Sequence, residues 1–155
     1  MISKYYTNRP PQKIDKVLFD PQRHRVYKLE RELIGTSIDT HTPLAKLRAI
    51  AAHACSKNSV KRPTIAVVSK PIRVFGWCSN YTHIFLNKSF HGDNLGILLH
   101  ELAHYIAWQK FPDAECHGPE FMAYYALLLD QYKLLPRDCM DVLAKRYGVV
   151  IGECK

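Results

Sequence analysis

A chain of 155 residues is long enough to fold as one domain around a single core. Hydrophobic residues make up 47% of it and charged residues 23%, which is typical of a soluble globular protein and excludes wholesale disorder. The formal net charge is +8, and it is concentrated in residues 1–73, where 15 Lys and Arg face 5 Asp and Glu. We expect this basic half to contact DNA through the phosphates, although a solvated basic surface would have the same composition.

The sequence contains no recognisable targeting or membrane-spanning segment. No stretch reaches the roughly 20 apolar residues that a transmembrane helix needs, and the first ten residues have no apolar core of signal-peptide length. The five cysteines are odd in number and include no Cys-x-x-Cys pair, so they indicate neither a disulfide framework nor a zinc ribbon. We therefore expect reduced thiols, no membrane association, no secretion, and a location in the cytoplasm, nucleoid or nucleus.

The beginning of the chain predicts a leader followed by a helix. Residues 1–19 are expected to be flexible, and residues 20–155 to form a single domain. Asp20 is a preferred N-cap and Pro21 a preferred first helical residue, while Gly35 would end the helix in a left-handed conformation. Apolar residues at helical spacing would form the buried stripe of this helix: Val26, Leu29 and Leu33.

The middle of the chain predicts a second helix and then a small sheet. The helix would begin at Thr42 and Pro43 and bury a set of residues at helical spacing: Leu44, Leu47, Ala51 and Ala54. After Pro63, three short runs are rich in β-branched and aromatic residues and are separated by turn-forming residues. These runs predict a three-stranded antiparallel sheet made of residues 64–69, 72–77 and 83–87.

The remainder of the chain predicts three more helices. Asp93 would cap the first, a strongly apolar helix that runs to about Lys110. The second would span residues 119–135, and the third residues 137–147 with Gly148 as its C-cap. Helices, a short sheet and further helices together indicate an α+β fold.

The first of these C-terminal helices contains a His-Glu-x-x-His pattern at His100, Glu101 and His104. The helical period places both histidines on one face, one turn apart, so that both imidazoles can bind the same ion. In this pattern two histidines bind zinc, and the glutamate is the general base that takes a proton from a zinc-activated water. Two core histidines would be the alternative, but polar groups on so apolar a helix are costly without a strong partner. The sequence therefore predicts one Zn²⁺ per chain and a catalytic Glu101.

A third zinc ligand is expected at His117, because catalytic zinc sites usually have three protein ligands. Twelve residues separate it from His104, which lets the chain turn back over the first helix. Gly118 permits a close approach, and Pro119 begins the next helix. A histidine without a ligand role is the simplest alternative, and three other residues could compete as ligands: His83, His91 and Cys116.

These two motifs resemble those of the SprT-like zinc metallopeptidases, the family that includes the Spartan protease. His100-Glu101-Leu102-Ala103-His104 matches the family's His-Glu-x-x-His, and His117-Gly118-Pro119-Glu120-Phe121 matches its downstream His-Gly-x-x-Phe. The resemblance extends over about residues 42–135 and includes the stretches 75–79 and 84–87, which look like the strands before the metal helix. It implies a zincin-like fold, with zinc bound by His100, His104 and His117 and with Glu101 as the general base.

The resemblance also implies a function. A SprT-like enzyme would hydrolyse peptide bonds in protein substrates, including DNA-associated or DNA-crosslinked proteins. An extended substrate would pair with the edge of the small sheet, which makes one run the candidate substrate-binding segment: Thr82, His83, Ile84, Phe85, Leu86 and Asn87. Two alternatives remain, namely a zinc-stabilised nucleic-acid-binding module without proteolytic activity and a zinc hydrolase of a non-protein substrate.

Other polar and aromatic residues near the motifs are interpreted as structural. Aromatic residues at helical spacing are expected in the core, and none is assigned as an oxyanion-stabilising group: Tyr105, Tyr124 and Tyr125. Glu120 and Asp130 could orient a ligating imidazole, but a solvated or capping role is the expected one for both.

Overall fold

The computed structural model describes residues 20–34 and 41–155. Five α-helices lie within these ranges: α1 (Arg23–Ile34), α2 (Leu44–Lys57), α3 (Leu95–Lys110), α4 (Pro119–Gln131) and α5 (Arg137–Tyr147). The strands are β1 (Thr64–Val68), β2 (Gly76–Ser79) and β3 (His83–Asn87), and a 3-10 turn follows at Lys88–Phe90. The predicted α+β class is therefore confirmed. The predicted leader, residues 1–19, and the predicted C-cap Gly35 lie outside the described residues.

The sheet is mixed, so the prediction of an antiparallel sheet is wrong. Its strand order is β1–β3–β2: β1 runs parallel to β3, and β2 runs antiparallel to β3 with Trp77 opposite Phe85. The second strand begins at Gly76 rather than at residue 72. The reason is a long-range contact, in which the side-chain amide of Asn87 donates to three backbone carbonyls at 3.0–3.2 Å, those of Lys70, Ile72 and Val74. These bonds hold residues 70–74 as a connection between opposite edges of the sheet.

Because β3 is the central strand, the predicted pairing of a substrate with residues 82–87 is wrong. The backbone of β3 is paired on one side with β1 and on the other with β2. Thr82, just before it, is also engaged, since its carbonyl accepts from Thr64 N at 2.8 Å and its N–H donates to Ser79 O at 3.1 Å. In the described part of the chain, the edges of the sheet are β1 and β2.

The core lies between the inner face of the sheet and the helices. Fully or nearly fully buried residues from the strands pack against α2 and α3: Ile65, Cys78, Ile84 and Leu86. The predicted apolar stripes of the first two helices are buried at six of their seven positions: Val26, Leu29, Leu33, Leu47, Ala51 and Ala54. The seventh residue, Leu44, is half-buried. Burial of each large aliphatic side chain stabilises the fold by about 1.5–3 kcal/mol. No described helix combines the length and the apolar character needed to cross a membrane.

The start of α3 is fixed by Asn94, not by Asp93 as predicted. The side-chain oxygen of Asn94 accepts from the backbone N–H of Ile97 at 2.9 Å, which satisfies one of the free donors of the first turn. Asp93 instead accepts from His41 Nδ1 at 2.7 Å, a partner 52 residues away. The cap orients the helix that carries the His-Glu-x-x-His motif.

The last two helices differ in how well the sequence predicts their ends. The predicted end of α4, residue 135, is wrong: the helix ends at Gln131, and Lys133 adopts a left-handed conformation with φ of 61°. The predicted span of α5 is confirmed, and Gly148 is left-handed with φ of 65°, as a glycine C-cap should be. Leu143 and Tyr147 of α5 pack partly against the core.

Candidate metal centre

The three predicted ligands converge in the structure. His100 and His104 lie on the buried side of α3, and His117 lies directly before Gly118, the N-cap residue of α4. One ligand atom from each lies within 4.8 Å of the other two, and His104 Nε2 is 3.0 Å from His100 Nε2. Imidazole nitrogens that bind one zinc ion at about 2.0–2.1 Å in tetrahedral geometry are about 3.3 Å apart. This group could therefore hold a metal ion, and among the described residues it does not include the competing candidates His83, His91 and Cys116.

The polar atoms of this group are almost completely buried. The exposed fractions are 7% for His100, 3% for Glu101, 0% for His104 and 1% for His117. Among the described residues, His117 Nε2 and Glu101 Oε2 have no hydrogen-bond partner. A buried polar atom without a partner costs about 1–3 kcal/mol. A metal ion bound by His117 Nε2 would remove that penalty, so the residues fit a metal.

Two carboxylates from the beginning of the chain hold the outer nitrogens of two of the histidines. Asp20 Oδ2 accepts from His117 Nδ1 at 2.7 Å, and Glu30 Oε1 accepts a short hydrogen bond from His100 Nδ1. Such a bond places the proton on Nδ1 and leaves the Nε2 lone pair for a metal. Neither bond involves Glu120 or Asp130, the two carboxylates that were considered for this role and for which a solvated or capping role was expected.

Sequence reasoning missed this contribution of α1. Asp20 was expected to cap the helix, but α1 begins at Arg23 and the Asp20 side chain binds an imidazole instead. No distinguishing signal was present in the sequence: Arg23, Tyr27 and Glu30 recur at helical spacing beside the apolar stripe, but polar residues in that position usually face water.

Burial governs the ionisation of Glu101 and its neighbours. Burial raises the pKa of Glu101 from 4.5 to about 7, a shift that His100 opposes and the nearby Glu30 increases. For His100, burial alone would lower the pKa, but the hydrogen bond and the charge of Glu30, together with Glu101, raise it. A carboxylate with a pKa near neutrality is well matched to a general base at physiological pH.

His117 has the opposite behaviour. Burial lowers its pKa, and the hydrogen bond that it donates to Asp20 only partly offsets this. Burial also acts on Glu30, but the charge and hydrogen bond of His100, together with His117 and a hydrogen bond from Tyr125, outweigh it and lower the pKa of Glu30. A lowered pKa of His117 favours the neutral imidazole, which is the form that binds a metal.

Phe121 packs against all three histidines. Its ring centroid lies 4.2 Å from that of His104 in a stacked arrangement, and 5.0 and 5.1 Å from those of His100 and His117 in edge contacts. Phe121 lies in the first turn of α4, four residues after His117, so one helical turn brings both residues to the same site. The spacing of the His-Gly-x-x-Phe motif thus places an apolar ring against the three histidines.

The tyrosines near the motifs divide into two groups. The core interpretation is confirmed for the three that the sequence considered, since each is at most 4% exposed: Tyr105, Tyr124 and Tyr125. Tyr27, which sequence reasoning missed, is half-buried, and its ring lies edge-on to His117 with centroids 5.0 Å apart. The guanidinium of Arg23 lies 5.6 Å from the Tyr27 ring. Burial raises the pKa of Tyr27 to about 12, although Arg23 opposes the shift, so its hydroxyl is protonated at neutral pH.

The edge strand β2 passes directly against the motif helix at Gly76. A Cβ atom at this position would lie 3.0 Å from the carbonyl oxygen of Phe85, 3.1 Å from Ile97 Cγ2 and 3.3 Å from Glu101 Cγ. A side chain at this position would therefore require the strand or its neighbours to shift by a few tenths of an ångström, and glycine avoids this. The edge of the sheet nearest to Glu101 is thus β2.

Comparison with protein-family models, with curated proteins and with solved structures found no match. The resemblance to the SprT-like family therefore rests on the sequence motifs and stays a prediction.

Proposed function

We propose that this chain is a zinc-dependent metallopeptidase with a zincin-like fold. The observation that carries the proposal is the buried group formed by His100, His104 and His117, with the buried carboxyl of Glu101 next to the first of them in the motif. Within residues 20–34 and 41–155, the group consists of three imidazoles and no fourth ligand. Three protein ligands are typical of catalytic zinc sites, whereas structural sites are closed by a fourth side chain. An all-nitrogen set also disfavours magnesium and calcium, which prefer oxygen ligands.

The residues of the chain would divide the chemistry as follows. Zinc, when bound, would polarise the scissile carbonyl and make a water molecule more acidic. Glu101 would accept a proton from that water and deliver it to the departing amine. Tyr27, protonated and beside His117, would donate a hydrogen bond to the oxyanion that develops on the substrate.

We place the substrate along β2 rather than along β3. In the described part of the chain β2 is paired on one side only, so its other edge could accept an extended peptide by strand addition. At Gly76 this strand lies against Glu101, so a peptide paired with β2 would lie close to the proposed general base. Peptides bound in this way are recognised mainly through their backbone, which favours broad specificity among unfolded or extended proteins.

Nucleic-acid contact is a second candidate function, supported by the outer face of the sheet. Three rings are stacked there: Trp77 on Phe85 at 5.1 Å, and Phe85 on His83 at 5.9 Å. Residues 41–92 contain eight Lys and Arg but no Asp or Glu. Single-stranded nucleic acids bind such surfaces, because bases stack on aromatic rings while cations neutralise the phosphates.

Exposed cations lie at one end of this face. Lys70 and Arg73 are exposed and belong to the segment that the Asn87 side chain holds across the end of the sheet. Asn87 alternates with Phe85 and His83 on β3 and therefore lies on the same face as the stacked rings. We propose that this face contacts DNA, either to bring the peptidase to DNA-associated proteins or as a binding function without proteolysis.

The decisive experiment measures zinc content and proteolysis together. The purified protein, with zinc, is incubated with a mixture of unfolded proteins in the presence and absence of single-stranded and duplex DNA. We expect about one zinc per chain, lost in His100→Ala, and cleavage that is abolished in Glu101→Gln although zinc is retained. Asp113→Asn, an exposed carboxylate outside the group, is the matched control. Wild-type protein that binds zinc and DNA but cleaves nothing under any condition would leave the binding module as the better account.

A further inference from the structure

We propose that α1 is a functional part of the metal centre, with Asp20 and Glu30 as positioning residues for His117 and His100. Metal binding and the docking of α1 would then stabilise each other. This inference rests on the proposed metal site, but it does not depend on proteolytic activity.

His117 is the ligand that most needs such support. His100 and His104 are held by the backbone of α3, whereas His117 lies in a turn before the N-cap of α4. The chain around Asp20 makes three separate contacts with it. Asp20 accepts from His117 Nδ1 at 2.7 Å, Gln22 Nε2 donates to the carbonyl oxygen of His117 at 2.7 Å, and the Tyr27 ring lies against the imidazole.

The same segment is also tied to the end of the chain. Gln22 is buried, and it both donates to Val150 O at 3.1 Å and accepts from Val150 N at 2.9 Å. On α1 itself, Glu32 accepts from Arg146 at 2.7 Å and from the Tyr147 hydroxyl, both on α5. These bonds hold Gln22 and α1 against the C-terminal part of the chain without involving the histidines. The carboxylates of Asp20 and Glu30 can therefore lie beside the histidines before a metal ion binds.

Glu30 supports the second ligand from the middle of α1. Its carboxylate is only 12% exposed and accepts from His100 Nδ1, while the Tyr125 hydroxyl donates to it from α4. Without this carboxylate, the His100 ring would lose the bond that fixes its tautomer and its rotation about the Cβ–Cγ bond. Because α1 contacts two of the three ligands, undocking α1 would loosen both of them at once.

Thermodynamic linkage makes the effect reciprocal. If docked α1 raises the metal affinity, a bound metal must favour docked α1 by the same factor. Loss of an outer-shell partner of a metal-ligating histidine typically lowers metal affinity by about 10–100-fold. We therefore expect Asp20→Asn and Glu30→Gln each to weaken zinc binding within this range.

Zinc affinity is measured by competition with a chromophoric chelator, and the exchange of α1 backbone amides is followed by hydrogen–deuterium exchange with and without zinc. Arg31→Gln is the matched control, because it changes an exposed charged residue of the same helix and leaves the bonds of Glu30 and Glu32 in place. We expect zinc to slow amide exchange in α1 of the wild-type and Arg31→Gln proteins, and to slow it less in Asp20→Asn and Glu30→Gln.

Each outcome has a definite meaning. If Asp20→Asn and Glu30→Gln bind zinc as tightly as Arg31→Gln does, and zinc leaves α1 exchange unchanged, the inference is overturned. Should Glu30→Gln fail to fold, Asp20→Asn provides the same test from a residue outside the helix. A wild-type protein that binds no zinc would overturn the proposed function and this inference together. Zinc binding coupled to α1 in a protein without peptidase activity would support the inference and refute the proposed function.

Discussion

Asp20 Oδ2 and His117 Nδ1 form a 2.7 Å hydrogen bond between residues 97 positions apart in the chain. The imidazole is buried and the carboxylate nearly so, which makes the bond stronger than its equivalent at the surface. It leaves Nε2 of His117 pointing away from Asp20 and without a hydrogen-bond partner among the described residues. This single contact connects the residue before α1 to the motif that follows α3, and it orients the one candidate ligand of the group that lies outside a helix.

The stability of the metal-free protein should depend on pH through Glu101. Its pKa is about 7 in the folded state and close to 4.5 when exposed, so the folded state retains a proton that the unfolded state has lost between these values. The free energy of unfolding therefore falls as pH rises from about 4.5 to 7. Glu101→Gln removes this dependence, and its stability relative to wild type should increase by about 2–3 kcal/mol between pH 5 and pH 8. Urea denaturation of both proteins in the presence of a chelator measures their free energies of unfolding. A stability difference between wild type and Glu101→Gln that does not change with pH would contradict the raised pKa of Glu101.

Tyr27→Phe separates the hydroxyl from the ring. The phenylalanine ring would keep the edge contact with His117, but it could not donate a hydrogen bond to a developing oxyanion. Loss of one such donor typically lowers kcat by about 10²–10³-fold. We expect that loss with zinc affinity and KM nearly unchanged, measured with a fluorogenic peptide. Tyr132→Phe, which removes a hydroxyl bound to the carbonyl oxygen of Ile50, should retain full activity; equal activity of both variants would rule out this role of Tyr27.

Gly76→Ala tests the contact between β2 and the motif helix. The added methyl group would lie 3.0 Å from a backbone oxygen of β3 and 3.3 Å from the Glu101 side chain, so either the strand or the carboxylate must move. Forcing a methyl group into such a space usually costs about 1–3 kcal/mol. We expect reduced thermal stability together with a loss of activity larger than that of Ser79→Ala, at the other end of β2. A Gly76→Ala protein with wild-type stability and activity would show that the strand can shift without consequence.

The nucleic-acid proposal predicts a dependence on salt and on two cations. Lys70→Glu/Arg73→Glu should weaken binding to single-stranded DNA and reduce the slope of log affinity against log salt by about 2, because two phosphate contacts are lost. Lys133→Glu/Lys145→Glu makes the same change in net charge at exposed positions away from the sheet, and it should have a much smaller effect. Fluorescence anisotropy with a labelled oligonucleotide measures both. Equal losses in the two double variants would indicate attraction by net charge alone.

Local sequence patterns predicted the elements that depend on neighbouring residues. The spacing of His100 and His104 places them on one helical face whatever the rest of the chain does, and Gly148 adopts the left-handed conformation for which its missing side chain suits it. The stripe formed by Val26, Leu29 and Leu33 is buried because its period matches that of a helix. The position of His117 beside His100 and His104 was predicted from the length of the segment between His104 and His117 and from the glycine and proline that follow it. In the structure the three side chains lie together.

Contacts between distant residues decided the rest. The strand order depends on how the segment held by Asn87 crosses the sheet, and no local period in the sequence records that crossing. Likewise, nothing in the sequence around Asp20 and Glu30 distinguishes carboxylates that bind imidazoles from carboxylates that face water. By itself, therefore, the sequence determined which three histidines form the candidate metal group. Only the tertiary structure decided which strand lies beside that group and which carboxylates hold its histidines. The strand order depends on hydrogen bonds across 13 to 17 residues, and the two carboxylates are brought to the histidines across 70 and 97 residues.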